Sequence, residues 1–158
     1  MSTPVFVPVA VEQARRLRDG VDPGPLTAYA AGPELLEAHG LGPADDEEAG
    51  FVTLGYAGLA ALLDQPGPRL VLAADVDAGQ VQGPGDEFGQ VRLEGLRWAQ
   101  VSAVFADEPG AADDLEAARR RAAGRPLAAV ADDEDVVGLV DRWDLLWYAA
   151  QELDAATG

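Results

Sequence analysis

Two periods alternate along this chain. Residues 5–9, Val-Phe-Val-Pro-Val, form a short β-rich run, and 11–18 follow with Val11, Ala14 and Leu17 at helical spacing and Gly20 as a stop. After a Pro/Gly turn at 21–25, residues 26–31 predict a second strand, and 33–39 a short helix with Pro33 near its first position. Residues 45–64 predict the longest helix. Its acidic start, Asp45-Asp46-Glu47-Glu48, suits the positive end of a helix dipole, and Phe51, Leu54, Gly58, Ala61 and Leu62 form its apolar stripe. Gln65-Pro66-Gly67-Pro68 breaks it.

In the second half, Leu70-Val71-Leu72-Ala73-Ala74 is continuously apolar and predicts a buried central strand. The Gly-, Pro- and Asp-rich segment 77–89 reads as a mobile loop, joining that strand to 90–93 as a hairpin. Residues 101–106 predict another strand. The clearest helix is 111–123, with Ala111, Leu115, Ala118 and Ala122 inward, acids early and Arg119-Arg120-Arg121 late. Residues 127–130 read as a short strand, 132–143 as partly helical, and Leu145-Leu146-Trp147-Tyr148 as a strand leading into a C-terminal helix. Tyr29-Ala30-Ala31-Gly32-Pro33-Glu34-Leu35 is similar to Tyr148-Ala149-Ala150-Gln151-Glu152-Leu153 with one residue deleted, which suggests a degenerate duplication. Together these elements predict an α+β fold: one compact domain over 1–158, with a mixed or antiparallel sheet, helices packed on one face, and room for a ferredoxin-like arrangement with that internal duplication.

Composition removes whole classes of chemistry. The chain has no cysteine, lysine, isoleucine or asparagine and a formal net charge of −17. The last three are AT-rich codons, so a GC-rich genome accounts for the bias and discounts the acidity as a signal. Without cysteine there is no disulfide scaffold, thiolate nucleophile or Cys-ligated metal; without lysine there is neither a phosphate-loop lysine nor Schiff-base chemistry. Ser2 and Ser102 are the only serines, and neither sits in a nucleophile elbow. His39 is the only histidine; at the end of a short helix it is placed to meet the last carbonyls. The charge opposes phosphate-mediated nucleic-acid binding and anionic membranes, and no apolar run approaches the ~20 residues of a membrane span. The expectation is a cytoplasmic protein with no cofactor, neither nucleic acid nor a membrane as partner, and a leaning away from enzyme activity.

Two residue groups remain as candidates. Asp75 and Asp77 follow the buried strand and Asp107 and Glu108 end the next one. If those ends met, four carboxylates could hold a divalent metal for a small enzyme or ligand-binding protein. The favoured reading is a protein-binding or regulatory module without catalysis. It would meet a protein partner around Asp141, Arg142, Trp143 and Asp144 and the acidic segment 132–135; a third option is self-association through an open sheet edge. Trp98 and Trp147 read as core, Trp143 as the surface candidate.

Several of these stretches carry a resemblance. Val5-Phe6-Val7-Pro8, Ala73-Ala74-Asp75-Val76, the strand of Trp98, Val101, Ala103 and Val104, and the ending Leu145-Leu146-Trp147-Tyr148-Ala149 with Gln151-Glu152-Leu153 resemble an uncharacterised actinobacterial family of small proteins, a domain of unknown function. The resemblance spans nearly the whole chain and is most specific at the C-terminal motif. It implies a stand-alone cytoplasmic protein and supplies no activity, substrate or cofactor. That family often has a histidine where this chain has Phe105, a departure that weakens any scheme using that histidine as a catalyst.

Overall fold

Alternation along the central strands sets the architecture. In β1 (Ser2–Pro8), Val5 and Val7 face one side of the sheet and Phe6 the other; in β3 (Leu70–Asp77), Leu70, Leu72, Ala74 and Val76 share the first side and Val71 the second. Both faces are therefore apolar, and both must be covered. The computed structural model, which describes residues 2–158, shows how. Helices α1 (Val11–Arg18) and α7 (Leu153–Thr157) bury Ala14, Leu17 and Leu153 against the first face. Helix α3 (Asp46–Asp64) lays Ala57, Ala60 and Ala61 against Phe6, Tyr29, Val71 and Phe105 on the second.

The remaining strands are β2 (Leu26–Tyr29), β4 (Val81–Gln82), β5 (Gln90–Leu93), β6 (Val101–Ala106) and β7 (Leu146–Ala149). They complete one seven-stranded sheet in the order β4-β5-β2-β1-β3-β6-β7, with every neighbouring pair antiparallel. Helix α2 (Pro33–Ala38) follows β2. Helices α4 (Ala112–Ala122), α5 (Leu127–Ala131) and α6 (Glu134–Asp141) form a second layer on α3, where Leu115, Ala118, Val130 and Val136 close over Leu59 and Leu62. No helix among the described residues is long and apolar enough to cross a membrane.

The α+β class and the antiparallel sheet match the sequence expectation, and four finer points differ. Helices cover both faces rather than one, because the apolar run of β3 leaves neither face polar. A ferredoxin-like split unit needs a third strand between those flanking a helix, whereas β1 and β2 pair directly, Phe6 opposite Tyr29. The segment after β3 does not return as a β3–β5 hairpin: β3 is taken on both sides by β1 and β6, and β5 pairs with β2 and the two-residue β4. Residues 127–130 are helical, since Pro126 at the N-cap presets the first turn and Leu127-Ala128-Ala129-Val130-Ala131 is a good helix former. The segments expected to be duplicated begin on β2, an interior strand, and on β7, an edge strand, and lead into α2 and α7, where Leu35 and Leu153 are fully buried.

The second layer is locked at Asp133, the N-cap of α6. Its carboxylate accepts from the backbone N–H groups of Asp135 and Val136, and takes Arg125 Nη1 at 2.6 Å and Arg121 Nε at 3.1 Å. The Arg125 bond first, then those backbone donors and Arg121, hold its pKa down to about 2. Arg18 lowers Asp154 in the same direction, while burial raises Asp64 and opposes them. A carboxylate depressed in the folded state stabilises the protein above its unfolded value of about 4, and that stability is lost as pH falls toward about 2. The expected result is an acid limb in the urea midpoint between those values. Asp133→Asn should make it shallower, and an unchanged limb would show that Asp133 does not drive acid unfolding.

Candidate functional site

The carboxylate cluster does not assemble. Because β3 and β6 run antiparallel with Leu70 opposite Ala106, Asp107 and Glu108 lie at the start of β3, whereas Asp75 and Asp77 lie at its far end opposite β1. Six residues of strand, roughly 20 Å, separate Arg69 beside Asp107 from Asp75. Asp75 and Asp77 are exposed, and Asp107 is committed elsewhere. Among the described residues no three His, Asp or Glu side chains gather in a way that could hold a metal ion.

Asp107 is bound to Arg69. The pair extends the β3–β6 ladder by one step: Arg69 N–H donates to Asp107 Oδ2 at 2.7 Å, and Asp107 N–H to the Arg69 carbonyl at 3.3 Å. The guanidinium then grips the same carboxylate, with Nη2 to Oδ1 at 2.7 Å and Nε to Oδ2 at 3.1 Å. The side chains are only 4% and 1% exposed. Arg69 Nη2 also donates to the Trp143 carbonyl at 2.8 Å, which ties the segment after α6 to the sheet.

Above Arg69 lies an apolar groove of about 260 Å³. One wall is α3, through Phe51, Leu54, Gly55 and Gly58; the other is α6 and its continuation, through Val137, Val140, Trp143 and Leu145. Asp141 and Asp144 stand exposed at the opening. Three of the four residues expected at the binding surface, Asp141, Trp143 and Asp144, thus line the groove. Arg142 turns away, its Nη1 3.6 Å from Asp114 Oδ2. Trp143 is half-buried, its indole N–H donating to the same oxygen at 2.9 Å, with Gly110 close against the ring. In the acidic segment, Asp133 and Asp135 are engaged by Arg121, and Asp133 also by Arg125.

Other aromatic side chains depart from expectation. Trp147, expected in the core, is 62% exposed, because β7 is an edge strand and this residue pairs opposite Phe105 on the uncovered margin of the sheet. Trp98 does pack against the core. Phe51, expected in the buried stripe of α3, is 76% exposed at the groove mouth. His39 Nε2 lies 2.9 Å from the Tyr56 hydroxyl rather than on the α2 carbonyls, and Tyr56 packs edge-on against Phe88. Burial first, then Asp132 and Glu87, raises the Tyr56 pKa.

Sequence reasoning missed Arg69 and Phe51. For Arg69 a signal existed: it immediately precedes one continuous apolar strand and Asp107 immediately follows another, an opposite-charge pair at matched ends. Phe51 fits helical periodicity, yet it is exposed at a groove it lines together with Gly55 and Gly58.

No curated protein and no solved structure matches the chain. Over residues 3–156, essentially the whole domain described above, it matches a family of unknown function (DUF6912), and it belongs to that family.

Proposed function

We propose that this domain is a protein-binding or regulatory module without catalysis, meeting its partner through the groove between α3 and α6. The observation that carries the reading is Phe51, a large aromatic 76% exposed at the mouth of an apolar groove whose rim is charged. Apolar surface rimmed by polar groups marks interaction sites, and aromatic residues dominate their energetics. The groove's about 260 Å³ falls below the ~300–1,000 Å³ usual for a drug-sized ligand, which favours one anchoring side chain over a cofactor.

Phe51→Asp tests this without endangering the fold, since so exposed a position changes stability by only about ±0.5 kcal/mol. Tagged protein is exposed at low salt to lysate of its source cells. A partner held stoichiometrically by the wild type and by Asp75→Ala, but lost by Phe51→Asp, is the expected result. Capture indifferent to Phe51→Asp, or a bait with no partner at all, would count against the groove.

A further inference from the structure

The floor of the groove holds a donor that the fold does not use. Arg69 Nε and Nη2 are taken by Asp107 and the Trp143 carbonyl, but Nη1 has no hydrogen-bond partner among the described residues. Among the described residues no fully buried side-chain nitrogen or oxygen lacks a partner, so Nη1 is not sealed in, and the groove that Arg69 lines is its opening. Glycine at position 58 keeps that opening: a Cβ there would stand 3.5 Å from Nη1 and 3.5 Å from Leu145 Cδ1. A guanidinium nitrogen otherwise buried, with unused N–H groups at the bottom of an apolar groove, calls for an oxygen acceptor on the occupant.

Charge around the groove decides which acceptor. The Arg69 charge is already matched by Asp107, and that of Arg142 by Asp114. Asp141 and Asp144 line the groove unpaired, and Glu47 and Glu48 are exposed on α3 one turn before Phe51, on the side of the helix that Phe51 takes. A carboxylate entering this groove would meet four acids and an arginine already neutralised; a neutral carbonyl would meet only the donor. Resting on the reading of the groove as a protein-docking site, we infer that its occupant is a basic protein segment. Its large apolar side chain fills the groove, its main-chain carbonyl accepts from Arg69 Nη1, and neighbouring Lys or Arg residues lie over the surrounding acids.

The test titrates three probes into the ¹⁵N-labelled full chain at low salt, following the Trp143 indole N–H and the Arg69 Nε–H. The probes are a blocked pentapeptide with a central phenylalanine followed by two lysines, its counterpart with two glutamates, and hexanoate. The lysine peptide should shift both signals saturably and bind at least tenfold tighter than the glutamate peptide. Gly58→Ala should weaken it severalfold without lowering the melting temperature. Hexanoate binding as well as the lysine peptide would make the site a carboxylate pocket and overturn the proposal, and so would equal binding of the two peptides. If no probe moves either signal while Phe51→Asp still abolishes capture of a partner, the docking surface stands and the ligand class assigned to it falls. If the peptide titrates as expected while capture ignores Phe51→Asp, the ligand class stands and the groove's role as the protein-docking site falls.

Discussion

Asp107→Ala should cost about 3–5 kcal/mol, because it strands a guanidinium that is only 4% exposed. For a domain of this size each kcal/mol moves the melting temperature by roughly 2–4 °C, so a fall of roughly 6–20 °C is expected. The loss measures an uncompensated buried charge, not the net worth of the ion pair. Replacing both partners, Arg69→Met with Asp107→Leu, should therefore recover the share of that loss that comes from the stranded charge. A remainder of about 1–3 kcal/mol should persist for the one buried polar group left unpaired, the Arg69 backbone N–H. Urea unfolding of the two single variants and the double one closes the cycle. A coupling energy near zero would show that the pair does not lock the start of β3 to the end of β6.

The same pair shows which parts of the fold were legible in the sequence. Elements that carry their own period were readable: α1, the long α3, and the helix expected over 111–123, whose Ala111, Leu115, Ala118 and Ala122 are all buried as the spacing requires. Strand partners were not, because pairing is chosen by tertiary packing. The antiparallel setting of β3 against β6 puts Asp75 and Asp107 at opposite ends of the sheet, and nothing local to either aspartate encodes that. Two failures had a common physical cause. Trp147 and Phe51 both satisfy an apolar pattern, yet one lies on an edge strand and the other over a gap between helices. Periodicity reports which face a side chain takes; only the assembled neighbours decide whether anything covers that face. Trp143, a tryptophan set among charges that read as a surface candidate, is half-buried at the groove wall, between the two environments its sequence allows.

Gly89→Ala should be nearly as damaging as loss of Asp107, and for a reason no contact inventory of the wild type reveals. Gly89 sits at φ +81°, where an added Cβ costs about 1–2 kcal/mol in any surroundings. That Cβ would also run into the Ala30 carbonyl oxygen and come within 3.0 Å of Leu35 Cδ1. Relief requires the backbone to move, but the Gly89 carbonyl accepts from Ala30 N–H at 2.8 Å, and the Asp86 carboxylate holds the Phe88 and Gln90 N–H groups at 2.9 Å each. Strain, a lost hydrogen bond of about 1 kcal/mol and crowding of about 1–3 kcal/mol together predict a loss of roughly 3–6 kcal/mol. Gly20→Ala is the control: φ is +89° and nothing lies within 4 Å of the new Cβ, so only the conformational cost applies. Equal melting temperatures for the two variants would show that the contact at Ala30 relaxes freely. The expected gap has a functional reading as well. Phe88 precedes Gly89 and packs edge-on against Tyr56 with ring centroids 5.1 Å apart, and Tyr56 lines the groove above Arg69. Displacing the turn should therefore disturb the Tyr56 side of the docking site in molecules that remain folded, and the lysine peptide should bind Gly89→Ala more weakly than it binds Gly20→Ala.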